Sequence, residues 1–325
     1  MRFAELLATF GTVERAIDGA SPADAVVDRA RAEADAAIVQ AEAAGARLIV
    51  SSDDDYPAGL LDLNDRPPAL FAIGDLAAVA PPVAAIVGTR RATPYGERVT
   101  RDLATALARE GISVISGMAR GIDGAAHRAA LDAGGRSAAV LGTGVDLAYP
   151  AAHRGLHQRI AASGLLLSEE LPGDRASAGS FPKRNRILAA LAQVTIVVEA
   201  PRASGALITA GHALELGRTV AAVPGPIDAP ASAGSNLLLR DGAVLLAEVA
   251  DVLALFGKSR PVPREVLFGT AAERAIWEAL APGSASLDEL CARAALPARE
   301  CVAAVSALEL SGAIECALTG EIRRR

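Results

Sequence analysis

The chain has 325 residues, of which 51% are hydrophobic, 22% are charged and only 3% are aromatic, and its formal net charge is −6. This length predicts two or three domains with a full-sized core and excludes a miniature stapled protein. No apolar run is long enough to span a bilayer and no signal-peptide pattern opens the chain, so we expect a cytoplasmic protein that does not associate with membranes.

The charges and the cysteines are unevenly distributed. Residues 1–80 contain 14 acidic residues and 6 arginines, so the rest of the chain is slightly basic. All but two of the 32 basic residues are arginines, a composition that weakly favours phosphate recognition. Cys291, Cys301 and Cys316 have neither CxxC nor zinc-site spacing. We therefore expect free thiols in a reducing compartment and no bound metal.

Residues 1–62 are predicted to form a small helical module. The apolar spacing indicates a short helix at Phe3–Gly11 and a long helix over Ala23–Ala44 that ends at Gly45. An acidic loop, Ser51–Pro57, follows the second helix.

Residues 63–256 alternate between short β-branched runs and helical patterns. A helix is predicted over Pro94–Glu110, with Thr93 as its N-cap and Gly111 as its stop. Because helices separate the apolar runs, the fold class is α/β: an extended Rossmann-like parallel sheet with helices on both faces. The predicted strands are Val83–Val87, Ile112–Ile115, Ser137–Leu141, Leu165–Leu167, Val194–Val198, Thr219–Val223 and Ala243–Leu246.

A linker at residues 257–265 separates this domain from a winged-helix-like domain at residues 266–325. The last helix of that domain, where a DNA-reading helix would lie, contains Arg299 but also Glu300 and Glu309. Because a DNA-reading helix is normally basic, we favour a protein-contact or structural role for it. The predicted elements are helices at Ala271–Leu280, Leu287–Ala294 and Pro297–Leu310, then an extended tail at Ile314–Ile322 with a turn at Thr319-Gly320.

Two glycine-rich loops follow neighbouring predicted strands. The first is Gly88-Thr89-Arg90-Arg91, and the second runs from Ser116 to Gly124 with an arginine at its centre. Ligands of open α/β sheets bind at the carboxyl ends of the strands, where glycines allow close approach and helix N-termini attract anions. The two loops therefore predict a phosphate-binding cradle.

The sequence lacks the common nucleotide fingerprints. There is no GxxxxGK[ST] motif, and the first loop reads Gly-Thr-Arg-Arg-Ala-Thr where a dinucleotide enzyme has GxGxxG. Ser116-Gly117 ends the second strand in place of a ribose-binding acid. We therefore expect no nucleotide cofactor, and no cofactor of another kind.

Three basic residues cluster at the predicted start of a helix, at Lys183, Arg184 and Arg186, with Asn185 between them. Cations at a helix N-terminus oppose the macrodipole unless an anion compensates. The anion is either a bound ligand or the neighbouring Glu169 and Glu170, and the sequence leaves both open. Phe181, just before the cluster, is either a stacking platform for a base or a core anchor.

Taken in order, these motifs resemble the DNA-processing protein A (DprA/Smf) family of recombination mediators in natural transformation. The resemblance extends from about Asp53 to Leu246. It implies a non-enzymatic protein that binds single-stranded DNA without sequence specificity, forms a homodimer and helps load RecA recombinase. The matching segments are DDDYP, RPPALFAIGD, AIVGTRRATPYG, SGMARGIDGAAHRAAL, AVLGTGVDLAYPAAHRGLH, LLSEELPG, FPKRNRILAALA, VVEAPRASGALITAGHALELGR, VAAVPGP and GSNLLLRDGA.

The resemblance assigns the DNA site to the glycine loops and the basic helix start. The chain departs from the family pattern at two places: the first helix resembles only the latter part of a helix-hairpin-helix module, and no basic residue directly follows Tyr149-Pro150. The implied DNA-binding residues are Gly88, Thr89, Arg90, Ser116, Gly117, Ala119, Gly121, Phe181, Lys183, Arg184, Asn185 and Arg186.

A rival hypothesis is a nucleotide-processing enzyme that hydrolyses nucleoside monophosphates. Related Rossmann folds use a glutamate and an arginine in the same crevice, and Glu199 and Arg202 are the candidates here. Only fold analogy supports this hypothesis. The run from Lys183 to Arg186 discriminates between the two, because a polyanion track needs it and a mononucleotide pocket does not.

Overall fold

A computed structural model gives the fold of residues 24–177, 179–258, 268–311, 313–317 and 320–324. The chain divides into two units, Met1–Ser259 and Arg260–Arg325. The predicted helix at Phe3–Gly11 and most of the predicted linker lie outside the described residues. The predicted domain boundaries therefore stay predictions, although the division falls within the proposed linker.

The first unit is built on a nine-stranded sheet. Seven consecutive strands of this sheet run parallel, which confirms the predicted α/β class. Each predicted strand is present, and no end is shifted by more than one residue. The parallel strands are β3 (Val83–Val87), β4 (Ser113–Ser116), β5 (Ser137–Leu141), β6 (Leu165–Ser168), β7 (Val194–Val197), β8 (Thr219–Ala222) and β9 (Val244–Leu245).

Two antiparallel strands extend the sheet on the β6 side, and the sequence did not indicate them. β1 (Arg47–Val50) pairs with β2 (Ala69–Gly74), which in turn pairs antiparallel with β6. The strand order across the sheet is β1-β2-β6-β5-β4-β3-β7-β8-β9. The prediction that residues up to 62 are helical is therefore wrong at Arg47–Val50. A four-residue strand is too short to show periodicity, and its pairing with a strand about 20 residues later is a tertiary contact.

Helices cover both faces of the sheet. Thr93 caps α2 as predicted, since its hydroxyl accepts a hydrogen bond from the Gly96 N–H. Leu103 and Leu107 of α2 and Ala126 of α3 pack on one face of the sheet. The helices are α1 (Asp24–Ala43), α2 (Pro94–Arg109), α3 (Ile122–Asp132), α4 (Arg154–Ser163), α5 (Ser180–Leu191), α6 (Gly205–Glu215), α7 (Ala233–Arg240) and α8 (Val249–Ala254).

The chain reverses its direction across the sheet between β3 and β7. From β3 it proceeds through β4 and β5 to β6, and then crosses to β7 on the other side of β3. At such a switch point the helices that follow the two neighbouring strands diverge and leave a crevice at the carboxyl ends. The fold therefore places a ligand site after β3 and β7.

In its described residues, the second unit has three helices and a two-stranded antiparallel sheet around its own core. Ile276, Leu290 and Leu308, one from each helix, are buried together in that core. Within the described residues of both units, no helix combines the length and the hydropathy that crossing a membrane requires. The elements are α9 (Ala271–Ala279), α10 (Leu287–Ala294), α11 (Ala298–Leu310), β10 (Ile314–Cys316) and β11 (Ile322–Arg324).

Candidate nucleic-acid interface

A cleft of about 410 Å³, hereafter the cleft, lies at the switch point. Residues of the loop after β3, the loop after β4, the start of α5 and the loop before α6 form its walls. The lining residues are Val87, Gly88, Thr89, Arg90, Ala119, Asp123, Phe181, Pro182, Arg184, Asn185, Leu188, Pro201, Ala203, Ser204, Gly205, Ala206, Ile208 and Thr209.

A second cavity of about 370 Å³, the side pocket, adjoins the cleft. Arg90, Ala119 and Phe181 line both cavities. The Phe181 and Tyr149 rings lie 5.4 Å apart with a 35° tilt, and the Arg90 guanidinium carbon lies 5.2 Å from the Phe181 centroid. Phe181 therefore borders both cavities, in contact with an arginine and a second aromatic ring, which is an environment suited to a stacking platform.

The loop after β3 is tightly fixed. The Thr89 N–H donates to the Glu199 carbonyl at 2.7 Å, and the Arg91 N–H donates to the Thr89 hydroxyl at 3.2 Å. A Cβ on Gly88 would lie 2.5 Å from the Ile122 side chain, so only glycine fits there. As a result Arg90 projects, exposed, from a rigid support.

The loop after β4 is also rigid, but two of its backbone amides bond a side chain of the protein itself. The Gly117 and Ala119 N–H groups donate to the Asp123 carboxylate at 3.2 and 3.3 Å. The buried Ser116 hydroxyl donates to the Ile86 carbonyl and does not line either cavity. Gly121, at φ 73° and ψ −125°, lies so close to the first loop that a Cβ would be 2.3 Å from the Thr89 oxygen. This contact holds the two loops together.

A buried cation and a buried carboxylate form the floor of the cleft. Arg184 is only 7% exposed and donates to the carbonyls of Gly117, at 2.8 Å, and Val140. Burial lowers the pKa of Arg184 to about 10, an effect that Asp123 partly offsets. Burial likewise raises the pKa of Asp123, against the effect of Arg184 and of the two amides. Asn185 donates to the Gly205 carbonyl and accepts from Arg184.

The other two cations of the basic cluster are neutralised within the chain. Arg186 is buried and bonds both Asp65 and Glu169 at 3.0 Å, and Lys183 lies 3.3 Å from Glu169. Neither is among the described residues that line the cleft or the side pocket. The ion-pair alternative is thus confirmed for Glu169, and the helix N-terminus does not need an external anion for these two residues.

The residues of the rival enzyme hypothesis are not arranged as a catalytic pair. Glu199 is 2% exposed, and its carboxylate accepts from the Thr93 N–H at 3.0 Å and the Thr93 hydroxyl at 2.6 Å. It therefore stabilises the start of α2 and, like the exposed Arg202, is absent from the described lining of the cleft.

Four residues that line the side pocket were not predicted as site residues: Arg91, Arg120, Tyr149 and Pro150. The two arginines belong to the glycine loops, so the loop motifs contained a signal for them. Tyr149 is one of only three tyrosines, but its partner Phe181 is 32 residues away, and their contact is visible only in the folded chain.

Comparison with known proteins identifies the family. The model of the family described as "DNA recombination-mediator protein A" matches residues 47–257, and that of the "DprA winged helix domain" matches residues 258–317. The chain belongs to the DNA recombination-mediator protein A family. This membership confirms the predicted DprA/Smf resemblance and the predicted winged-helix domain.

Relatives and solved structures agree with the family assignment. The chain is 43% identical over 293 residues to a putative DNA processing protein DprA of Mycobacterium tuberculosis, covering 84% of this chain and 75% of the relative. It is 44% identical to the protein Smf of Escherichia coli over 63% of this chain and 55% of the relative. The DprA structure from Streptococcus pneumoniae matches with a TM-score of 0.62 at 41% identity, covering 64% of this chain and 74% of the other.

A structure from Helicobacter pylori, described as showing the single-stranded DNA binding mode of DNA processing protein A, matches with a TM-score of 0.60. The two chains are 31% identical, and the match covers 65% of this chain and 96% of the other.

Proposed function

We propose that the cleft and the side pocket bind single-stranded DNA without reading its sequence. The observation that carries this proposal is the position of the exposed Arg90 beside the Phe181 ring, at the wall that the two cavities share. Arg90 supplies charge to a phosphate, and the ring supplies a face for the adjacent base. The structural relative from Helicobacter pylori, whose description names single-stranded DNA, supports the same assignment.

The chemistry of these walls favours a single strand over a duplex. Every base has a face that stacks on an aromatic ring, but in a duplex that face is covered by its neighbours. Stacking and phosphate contacts also do not depend on which base is bound. Arg91 and Arg120 extend the positive lining of the side pocket, which compensates for the absence of a basic residue after Tyr149-Pro150.

We further propose that the chain acts as a homodimer and delivers the bound strand to a RecA-type recombinase. The family description as a recombination mediator supports the delivery step. Dimerisation would join two clefts on one strand, so the second would bind at a raised effective concentration. The proposal includes no catalytic turnover.

The test is fluorescence anisotropy of a labelled oligo-dT and of a duplex, over a series of salt concentrations. We expect tighter binding to the single strand, with a log–log salt slope that falls by about 0.7 for each phosphate-contacting cation removed. Arg90→Ala should lower the slope by that amount and weaken binding to oligo-dT and mixed-sequence strands equally.

Arg136→Ala is the matched control. Arg136 is exposed like Arg90, but it precedes β5 at the opposite, amino edge of the sheet. The same loss of charge should therefore leave the slope unchanged. An unmodified chain that does not bind oligo-dT at low salt contradicts the proposal, and equal effects of the two substitutions remove Arg90 from the site.

A further inference from the structure

A third cavity, a groove of about 420 Å³, lies between α2 and α3 on the outer surface of the first unit. Glu97, Arg101, Thr105 and Arg109 form its α2 wall at intervals of four residues, which places them in one stripe along the helix. We call this cavity the arginine groove. Its α3 wall consists of Ala125, Arg128, Ala129, Asp132 and Ala133.

The arginines of the groove are exposed and free of carboxylate partners within the described part of the chain. No ion pair is found there for Arg101, Arg109 or Arg128. Of the two acidic residues in the walls, Asp132 already pairs with Arg159 at 2.6 Å. The groove therefore has an excess of positive charge on a chain whose net charge is −6.

The groove lies along two helices that start at the same edge of the sheet as the cleft, although the two cavities share no lining residue. α2 begins at Pro94, four residues after Arg90, and α3 begins at Ile122, two residues after Arg120. Both helices then run from the carboxyl edge of the sheet, where the cleft lies, toward the amino edge. Arg101 and Arg109 are eight residues apart, a rise of about 12 Å along α2.

Arg128 reaches from the groove toward the start of α3. It lies on the groove wall, but a Cβ on Gly124 would be 3.1 Å from one of its guanidinium nitrogens. The side chain therefore extends back along α3, and its guanidinium group lies beside the first turn of the helix, at the carboxyl edge of the sheet.

The walls fit a phosphate chain better than an acidic protein segment. Apart from the charged residues and Thr105, the lining consists of three alanines, which form no pocket for a partner side chain. A docked peptide needs such pockets for its anchors, whereas a polyphosphate backbone needs only spaced cations. The described lining also contains no aromatic ring, so bases would not stack there.

We propose that a DNA strand leaving the cleft continues along the arginine groove, where Arg101, Arg109 and Arg128 bind its phosphates. This inference rests on the proposed function of the cleft. Binding in the groove is purely electrostatic, since stacking is confined to Phe181 and Tyr149. It lengthens the strand that one subunit holds and adds to the salt dependence of binding.

The test compares two labelled oligo-dT strands by anisotropy over a salt series: one of about 5 nucleotides, which the cleft alone accommodates, and one of about 20. The variant is Arg101→Ala/Arg109→Ala. The control is Arg31→Ala/Arg136→Ala, which removes two exposed arginines of α1 and of the turn before β5. Circular dichroism verifies that both variants fold.

With the long strand, the log–log salt slope of the groove variant should be smaller by about 1.4 than that of the unmodified chain. Between 50 and 200 mM salt, the affinity of the variant should therefore fall by a factor about sevenfold smaller than the affinity of the unmodified chain does. With the short strand it should bind like the unmodified chain, and the control variant should match the unmodified chain on both strands. Arg90→Ala should weaken the binding of both strands.

If the groove variant has an unchanged salt slope on the long strand while Arg90→Ala still weakens binding, the proposal for the groove is wrong and the proposal for the cleft stands. Binding of a poly-glutamate peptide to the groove, with that slope unchanged, overturns it in favour of a protein ligand. Absence of binding to either strand by the unmodified chain overturns both proposals together.

Discussion

Replacing Arg184 with methionine tests whether the floor of the cleft is held by a buried cation. Methionine keeps an unbranched apolar stem of similar length but removes the guanidinium. Three bonds disappear: those to the carbonyls of Gly117 and Val140 and that to the Asn185 side chain. Asp123, which is buried in the same floor, then loses the cation that most lowers its pKa.

The expected cost follows from these contacts. A hydrogen bond to a charged group contributes about 1.5–3 kcal/mol, and two such bonds to buried carbonyls are lost. Removing one partner of a buried charge pair costs about 3–5 kcal/mol, because the other charge stays uncompensated. Water that enters from the cleft can hydrogen-bond some of the groups that lose their partner. We therefore expect the free energy of unfolding to fall by about 3 kcal/mol.

Urea denaturation followed by far-ultraviolet circular dichroism measures this loss. Trp277, the single tryptophan, lies in the second unit, so its fluorescence follows that unit separately. Adding Asp123→Asn to Arg184→Met should recover part of the stability, because it removes the uncompensated carboxylate. A loss below about 1 kcal/mol in the single variant, or a further loss in the double variant, refutes the reasoning.

Three other substitutions have defined outcomes. Gly121→Ala should destabilise the fold by about 1–3 kcal/mol in urea denaturation, because its Cβ meets the Thr89 carbonyl at positive φ, whereas Gly211→Ala, in open space within α6, should not. Burial lowers the pKa of His127 to about 3, so between pH 6.5 and 3 only the unfolded chain takes up this proton, and the free energy of unfolding falls by about 1.4 kcal/mol per pH unit. In His127→Leu the free energy of unfolding should fall less steeply as the pH is lowered over this range. If it falls as steeply in the variant as in the unmodified chain, the prediction is wrong. Phe181→Ala should weaken oligo-dT binding by about 1–3 kcal/mol without changing the salt slope, since stacking releases no counterions; a lower slope would show that the ring acts by positioning Arg90.

The sequence by itself determined the parallel sheet and its helices. Seven short β-branched runs separated by helical patterns are all present as strands β3 to β9. The same holds for the winged-helix domain, whose three helices and extended tail lie where the periodicity predicts them. These features are local, because the periodicity, the helix caps and the stop glycines depend on residues that are close together in the sequence. Burial of the resulting apolar faces then leaves few possible arrangements of the strands and helices.

The tertiary structure decided which polar residues face the ligand. Arg184 and Arg186 are two residues apart and look equivalent in the sequence, yet one forms the floor of the cleft and the other bonds Asp65 and Glu169. The position of Glu199 as a support for α2 and the contact of Tyr149 with Phe181 were likewise not predictable. The physical reason is that the state of a charge or a ring depends on burial and on partners distant in the chain, and only folding brings those partners together.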